Sequence, residues 1–240
     1  MSDLLIRNLE IYGALSYEEK HALSNVIVRS KEIAADQDIV RDGDRPTECS
    51  VILEGLACRY KVLPSGKRQI MSFHIPGDIC DLHGFLLTMD HNIGTLTPSR
   101  VGFIPHKTIE DLLERFPRIA RALWRITLVD GAVFREWMAG MGRRTAHGQV
   151  AHLLCEVMCR YKAVGLTDNY SLELHLTQAE LGDALGLSTV HVNRVLQELR
   201  GEGLITLSGG TLVINEWERL RELGEFDSSY LHHLHVGGLK

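Results

Sequence analysis

Residues 172–214 read LELHLTQAELGDALGLSTVHVNRVLQELRGEGLITLSGGTLVI, and this stretch decides the fold of the C-terminal part of the chain. Thr177 is followed three residues later by Glu180, which is the spacing of a capping box and predicts that a helix starts between them. Gly186 supplies a tight turn, and Ser188 can cap a second helix because its hydroxyl accepts a bond from a first-turn amide. Two capped helices joined by a glycine turn predict a helix-turn-helix.

The two helices have an apolar and a polar side. The apolar positions, spaced as in two crossed and packed helices, are Leu181, Ala184, Leu185, Leu187, Val192, Val195, Leu196 and Leu199. The polar side of the second helix is predicted to read base edges in the major groove. Its residues are Thr189, Val190, Asn193, Arg194 and Gln197.

A β-hairpin is predicted to follow, because Leu204–Leu207 and Thr211–Ile214 alternate around Ser208-Gly209-Gly210. Such a hairpin is the wing of a winged helix-turn-helix. Wings and helix N-termini usually meet the DNA backbone. The predicted phosphate contacts are Thr177, Gln178, Ser188, Arg200 and Gly209.

The charge balance is unusual for a nucleic-acid binder. The formal net charge is -5, and residues 143–200 hold six Lys/Arg and six Asp/Glu, whereas phosphate binding usually needs a basic face. Binding must therefore depend on two copies of the chain, on helix N-termini and on a few well-placed cations. These cations are Arg143, Arg144, Arg194 and Arg200. The alternative is that the polar residues only solvate a surface helix.

Residues 22 to 105 have the pattern of a β-rich domain. Short apolar runs alternate by two, as in SVILEGLACRYKV, and glycines recur about every 8 to 12 residues. This pattern favours a jelly-roll β-roll. From His106 the period is helical, with a short helix to Phe116 and then a long helix.

The long helix, residues 117–142, is predicted to dimerise. Apolar residues step by threes and fours along a narrow seam: Ile119, Leu123, Ile126, Val129, Val133 and Trp137. The alternative is that this seam packs on the chain's own β-roll. Gly140-Met141-Gly142 is predicted to end the helix and to act as a hinge.

The fold class is therefore α+β, in four parts. Residues 1–116 are predicted to form the β-roll sensor, 117–142 the dimerisation helix and hinge, 143–218 the winged helix-turn-helix, and 219–240 a tail that packs back on the body. The chain has 45% hydrophobic residues but no apolar run of membrane-spanning length and no secretory signal pattern at its start. A cytoplasmic location is expected.

Cysteine and histidine positions give little indication of a metal or cofactor, and none is predicted. The five cysteines are odd in number and form no CxxC pair. His152, Cys155 and Cys159 share a helical face and allow a zinc site or a redox thiol pair, but core packing is the more usual role. His232, His233 and His235 form a C-terminal cluster without an assigned function.

The chain resembles the Crp/Fnr superfamily of bacterial regulators over essentially its whole length, and three segments carry the resemblance. They are LTQAELGDALGLSTVHVNRVLQELRGEGLI, IVRDGDRPTECSVILEGLACRY and PGDICDLHGF. The resemblance implies a homodimer that bends DNA at a palindromic site and contacts RNA polymerase. It places base reading on Val190, Asn193 and Arg194, with Thr189 as a fourth position. Val190 stands where glutamate is usual, so the half-site is expected to differ, while Arg194 should favour guanine.

The resemblance to the family's effector site is partial. Gly77 and Asp78 resemble the start of the cyclic-nucleotide motif. Leu82 stands where the motif has its second glutamate, and the segment around Asn92, where the motif has an arginine, contains none. These four residues are the predicted effector pocket, and cyclic AMP is not expected to bind. An iron-sulfur centre is not expected either, because the first 48 residues lack cysteine. Haem ligation by His74 or His83 is a minor alternative.

The main hypothesis is a DNA-binding transcription regulator whose β-roll senses an unidentified signal or serves only as a platform. One rival is a jelly-roll metalloenzyme, but His74, His83 and His91 lack the close spacing of such sites, so no enzyme activity is predicted. Another is a winged helix that binds protein instead of DNA.

Overall fold

A computed structural model of the chain describes residues 2–167 and 169–233. Two short helices, α1 (Asp3–Ile11) and α2 (Tyr17–Ser24), precede the β-rich region. Its strands are β1 (Arg29–Ile33), β2 (Asp38–Val40), β3 (Glu48–Glu54), β4 (Ala57–Val62), β5 (Arg68–His74), β6 (Asn92–Thr95) and β7 (Ser99–Pro105). A 3-10 turn at Leu82–Phe85 lies between β5 and β6, and α3 (His106–Arg115) and α4 (Pro117–Arg143) follow.

The strands form two antiparallel sheets, in the orders β1-β7-β3 and β2-β6-β4-β5. Alternate residues of both sheets meet in one apolar cluster, for example Ile52 and Val101 from the first sheet and Val40 and Ile93 from the second. Because their inner faces share a core, the sheets face each other. The predicted β-roll and the α+β fold class are confirmed.

The outer face of the β1-β7-β3 sheet is covered by helices. Val51, Leu53 and Ile104 on that face join a second apolar cluster with residues of all four N-terminal helices. These helix residues include Leu5, Leu9, Leu23, Ile109, Leu112, Ile119 and Leu123. The first half of α4 is therefore a structural part of the roll.

Helix α4 ends at Arg143, one residue after the predicted end at Gly140-Met141-Gly142, and a hinge at these glycines stays a prediction. The helix continues to Arg143, and the Arg144 amide still donates to the Gly140 carbonyl at 2.9 Å. The chain turns at Thr145, whose hydroxyl accepts a bond from the Gly148 amide and starts the next helix. A cap satisfies otherwise free amides, so it defines the boundary more strongly than the small cost of two helical glycines.

The predicted dimer seam is buried within the chain. Ile119, Leu123, Val129, Val133 and Trp137 are each less than 9% exposed, and Ile126 is half-buried. These side chains offer little surface to a partner, which corrects their assignment to a dimer interface. Ile119 and Leu123 pack in the apolar cluster of the roll and its helices, as the alternative predicted, whereas Trp137 bonds to Glu156 in the second unit.

A different stripe of α4 is accessible. Its residues recur at alternating steps of three and four, the repeat of a paired helix, and are Arg121, Trp124, Leu128, Gly131, Arg135, Met138 and Gly142. Trp124, Leu128 and Met138 are 68%, 57% and 64% exposed. We refer to these seven residues as the outer stripe of α4.

The remaining elements begin with α5 (Ala146–Ala163) and are β8 (Ser171–Glu173), α6 (Gln178–Leu185), α7 (Thr189–Gly201), β9 (Ile205–Ser208), β10 (Thr211–Ile214) and α8 (Trp217–Leu223), then a 3-10 turn at Ser228–Leu231. The sheet order is β8-β10-β9. The sequence predicted the β9–β10 wing but not β8. In the tail Phe226 and Leu231 are buried, whereas Leu234 and His235 lie outside the described residues.

Two compact units result. One contains residues up to Lys61, Ser72–Gly131 and His233, and the other contains Val62–Met71 and Ala132–His232. In the second unit, Arg68 Nε lies 2.8 Å from Asp183 Oδ2 on α6. No helix in the described part of the chain is long and apolar enough to cross a membrane.

Candidate DNA-binding interface and effector region

Hydrogen bonds at both helix starts hold the helix-turn-helix in shape. The Thr177 hydroxyl accepts a bond from the Glu180 amide at 3.2 Å, and the Glu180 carboxylate accepts one from the Thr177 amide at 2.6 Å. The Ser188 hydroxyl accepts a bond from the His191 amide at 3.3 Å. The predicted capping box and second cap are both present.

The turn between α6 and α7 depends on two glycines. Gly186 has φ +68° and ψ 26°, a left-handed conformation that favours glycine. Gly182 lies inside α6, where an added Cβ would be 2.6 Å from the Leu187 carbonyl oxygen. The Leu187 amide donates to the Gly182 carbonyl at 3.1 Å, so the backbone of the turn packs directly against this glycine.

Helix α7 has the two sides that the sequence predicted. Its inner side is buried: Val192, Val195, Leu196 and Leu199 are at most 4% exposed. Of the predicted base readers, Val190 is 81% exposed. Thr189, Arg194 and Gln197 are also exposed, and Asn193 is half-buried. All five stay available to a ligand outside the fold.

Arg194 has an acidic neighbour on its own helix. Its Nε lies 4.0 Å from Glu198 Oε1 one turn later, and the arginine side chain is 64% exposed. His147 of α5 hydrogen-bonds to the other oxygen of Glu198. Arg194 is therefore oriented along the exposed side of α7 and remains free to leave a weak surface pair.

Some predicted phosphate contacts have a second role. The hydroxyls of Thr177 and Ser188 serve as caps, so what these positions offer an anion is mainly the first-turn amides. Arg200 and Gly209 are exposed, Gln178 is half-buried, and Gly209 has φ +59° in the wing turn. The phosphate role of these five residues stays a prediction.

Arg144 cannot serve as a phosphate contact in this conformation, which removes one of the four proposed cations. Its side chain is 12% exposed and pairs with Glu136 and Glu225. Arg143 is exposed. The interface therefore has fewer free cations than the sequence suggested.

The residues predicted to line an effector pocket are used by the fold. A Cβ on Gly77, which has φ +101°, would lie 2.7 Å from the Leu4 carbonyl oxygen of α1. Asp78 accepts bonds from Asn8 Nδ2 at 2.7 Å and from the Ile75 amide at 2.9 Å. Helix α1 thus contacts the Gly77–Asp78 turn.

The other two effector candidates are also engaged. Asn92 Oδ1 accepts a bond from the Asp42 amide at 3.0 Å, and Leu82 packs against the apolar cluster under the helices. The effector role of Gly77, Asp78, Leu82 and Asn92 stays a prediction without a contact that supports it.

The sequence reading missed an ion pair inside the roll. Arg59 of β4 is 2% exposed, donates to Asp130 Oδ2 of α4 at 3.2 and 3.1 Å, and donates to the Cys80 carbonyl at 3.0 Å. No local sequence signal marks the pair, because Arg59 alternates with the apolar positions Cys58 and Tyr60 and is 71 residues from Asp130. The pair ties α4 to the strand that carries Arg59.

Two histidines lie near this pair. The rings of His83 and His91 are perpendicular, with centroids 5.4 Å apart. Burial lowers the pKa of each imidazole, and the positive charge of Arg59 lowers it further, so both are neutral at pH 7. His83 Nδ1 and His91 Nε2 are buried without a hydrogen-bond partner among the residues that the structure describes.

A buried carboxyl lies in the same domain. Asp81 accepts bonds from the Ser50 amide at 2.6 Å and the Ser50 hydroxyl at 2.8 Å. Burial raises its pKa to about 6, against the opposing effect of those bonds. These bonds join β3 to the segment after Gly77.

The cysteines and His152 have the environment of core residues. Burial raises the pKa of Cys155, and it raises the pKa of Cys159 to about 12, so neither thiol is a ready nucleophile. His152 contacts the Gly224 carbonyl at 3.0 Å and the Tyr230 hydroxyl at 3.1 Å. No group of three or more metal-binding side chains is found within 2–167 and 169–233.

A buried carboxylate connects three elements of the second unit. Glu156 Oε2 accepts bonds from Trp137 Nε1 of α4 at 2.9 Å and from the Tyr230 hydroxyl of the tail at 2.7 Å. Trp137 was predicted to face a partner subunit, and this bond shows its actual neighbour. The tail and the end of α4 are thereby both fixed to α5.

The two halves of the chain match two known domain types. The Crp-like helix-turn-helix domain matches residues 148–223, and the cyclic nucleotide-binding domain matches residues 30–116. A capped helix-turn-helix with a wing, joined to a β-roll of this type, defines a class of DNA-binding regulators. The chain belongs to the Crp/Fnr superfamily of that class.

Individual relatives are similar along most of their length. Regulatory protein HlyX of Actinobacillus pleuropneumoniae is 28% identical over 209 residues, which is 86% of each chain. Transcriptional activator protein FnrL of Cereibacter sphaeroides is 26% identical over 230 residues, 94% of this chain and 92% of its own. The solved structure of FixK2 from Bradyrhizobium japonicum has a TM-score of 0.72 and 27% identity, over 81% of this chain and 96% of that one.

Proposed function

We propose that this protein is a sequence-specific transcription regulator that binds duplex DNA as a homodimer at a palindromic site. The observation that carries the proposal is the exposed side of α7, which presents Arg194 and Val190 to solvent on a helix-turn-helix held by two caps. Relatives named as transcriptional activators support the same function. The proposed site of action is the cytoplasm, with RNA polymerase as a further partner and no catalytic activity.

Selection from a random duplex library tests the proposal directly. Recovered duplexes should share a palindrome, and their affinity should fall steeply between two salt concentrations because phosphate binding releases counterions. A winged helix that bound only protein would recover no common sequence and show no such salt dependence. That outcome would overturn the proposed function.

Arg194→Ala is expected to relax base selection. Arginine can donate two bonds to guanine O6 and N7, so its loss should cost about 1 to 3 kcal/mol of discrimination in each half-site. The measurement is competition between the selected duplex and one with the guanine replaced.

Arg219→Ala is the matched control, because Arg219 is an exposed arginine of the same unit on α8. It should retain the preference of the wild type. If Arg194→Ala kept that preference as well, the assigned role of Arg194 would be wrong.

The proposed homodimer forms along the outer stripe of α4. Trp124, Leu128 and Met138 provide an exposed apolar row at paired-helix spacing, and apolar residues at these positions are what such an interface buries. The buried seam around Val133 has no such surface. The proposal therefore moves the interface to another side of the same helix.

Leu128→Asp is expected to shift the protein from dimer to monomer in sedimentation, because two charges would meet at the helix pair. Leu86→Asp is the control: Leu86 is 79% exposed in the roll but lies outside α4, and this variant should stay dimeric. A Leu128→Asp variant that sediments as wild type would place the interface elsewhere.

A cyclic nucleotide is not part of the proposal. The Gly77–Asp78 turn is covered by α1, and His91–Thr95 contains no arginine that could grip a cyclic phosphate. The β-roll is proposed to sense a different signal or to act as a platform for α4.

A further inference from the structure

Helix α7 carries an acidic residue next to its proposed base-reading side. Glu198 lies one helical turn after Arg194, and its side chain is 44% exposed. A carboxylate at a surface that meets DNA repels phosphates and lowers affinity. Arg144 does not offset this charge, since it pairs with Glu136 and Glu225. Glu198 therefore weakens binding to every duplex, and its contacts show what it contributes in return.

One oxygen of Glu198 faces Arg194. Arg194 Nε lies 4.0 Å from Glu198 Oε1, and the arginine side chain is 64% exposed. The contact is through Nε, whereas the two terminal nitrogens, Nη1 and Nη2, can together reach guanine O6 and N7. Glu198 therefore orients the guanidinium from the side and does not occupy the atoms that would read a base.

The other oxygen of Glu198 is held from outside its own helix. His147 Nε2 hydrogen-bonds to Glu198 Oε2, and Nε2 is the donor because a carboxylate only accepts. His147 lies in the first turn of α5, whose start is fixed by the bond from the Gly148 amide to the Thr145 hydroxyl at 3.1 Å. The Glu198 carboxylate is therefore already held when it contacts Arg194, and this contact orders one flexible side chain instead of two.

We propose that Glu198 and His147 are positioning residues that set the base preference of Arg194. His147 fixes the Glu198 carboxylate, and this carboxylate restricts the Arg194 guanidinium to orientations from which both terminal nitrogens reach guanine. Restricting the side chain before binding lowers the conformational entropy that is lost when guanine is recognised. Glu198 thus lowers the affinity for duplex in general and raises the preference for the correct base. The inference deepens the proposed function and rests on it.

Competition titration of the full chain tests this role with three duplexes: the selected palindrome, the same palindrome with the guanine replaced, and a random sequence. Glu198→Ala should lower the preference for guanine about threefold in each half-site, which is the size expected of one exposed ion pair. Its affinity for the random sequence should rise, because an acidic charge is lost. A residue that only stabilised the fold would, when replaced, lower binding to all three duplexes.

Replacing His147 tests whether it acts through Glu198. His147→Ala should lose the same preference, and His147→Gln should keep most of it, because the glutamine amide retains an N–H donor. A double variant with alanine at both positions should lose no more preference than Glu198→Ala alone. If the double variant lost the product of the two single effects, His147 would act independently of Glu198 and the proposed arrangement would be wrong.

Glu202→Ala is the matched control for loss of an acidic charge. Glu202 is exposed and directly follows α7, about two helical turns beyond Arg194, so it is too distant to contact that side chain. This variant should bind the random sequence more tightly, as Glu198→Ala does, and should keep the wild-type preference for guanine. Thermal unfolding without DNA confirms that each variant is folded.

The results for wild type and variants separate the inference from the proposed function. If the wild type preferred guanine and Glu198→Ala kept that preference, the inference would be wrong and the proposed function would stand. The same holds if Glu202→Ala lost as much preference as Glu198→Ala, since the effect would then be one of general charge. A wild type that selected no sequence would overturn both.

Discussion

Replacing Asp130 by alanine is expected to lower the free energy of unfolding of the first unit by about 3 kcal/mol. Arg59 is 2% exposed, so its guanidinium cannot reach water to replace the bonds that it loses with the ion pair. The two bonds to Asp130 Oδ2, at 3.2 and 3.1 Å, would both be lost. Because the Asp130 side chain is 27% exposed, the cost belongs at the lower end of the range for buried pairs. Denaturant unfolding monitored by circular dichroism measures it.

A double variant distinguishes the cost of leaving one buried charge unpaired from the net contribution of the ion pair to stability. Arg59→Met with Asp130→Leu removes both charges and leaves no buried ion, so it should recover most of the stability. Glu54→Ala is the control, because it breaks the exposed pair between Arg100 and Glu54 and should change stability by no more than about 1 kcal/mol. If Asp130→Ala were no worse than Glu54→Ala, the buried pair would not hold α4 to the roll.

Local signals made the helix-turn-helix predictable from sequence. A capping box joins residues only three apart, and a turn glycine acts on its own backbone, so Thr177, Glu180 and Gly186 could be assigned without tertiary information. The wing strands β9 and β10 followed from alternation over four residues each. Strand β8 was missed because it has only three residues and pairs with β10 across a long separation.

The side of α4 that faces a partner could not be predicted in the same way. Heptad-like spacing occurs on two sides of this helix, one containing Leu123 and Val133 and the other containing Trp124 and Leu128. Periodicity reports that a side is apolar, but not whether it packs on the same chain or on a second one. The structure distinguishes the two through burial.

The Arg59–Asp130 ion pair could not be predicted from local sequence. Its members are 71 residues apart, and each taken alone has the sequence context of an ordinary surface charge. Only the meeting of β4 and α4 brings them together. No local sequence pattern therefore predicts this contact.

Gly182→Val is expected to destabilise the second unit by about 3 kcal/mol and to abolish duplex binding. A Cβ at this position would lie 2.6 Å from the Leu187 carbonyl oxygen, and the clash is with backbone, which cannot rotate away as a side chain can. The same turn is fixed by the bond from the Leu187 amide to the Gly182 carbonyl at 3.1 Å. Relief therefore requires α6 and α7 to move apart, which displaces Ser188 and the start of the recognition helix. Calorimetric unfolding and duplex titration measure the two effects.

Gly201→Val provides the control for a valine in place of a helical glycine. Gly201 is the last residue of α7, is exposed, and has open space where its Cβ would be, so the change should leave stability within about 1 kcal/mol of wild type and keep duplex binding. The first unit should be unaffected in both variants, since both positions belong to the second unit. A Gly182→Val protein that bound the selected duplex like Gly201→Val would show that the turn tolerates a wider separation of α6 and α7. The close approach at Gly182 would then not be what places Arg194 and Val190 on the exposed side of the domain.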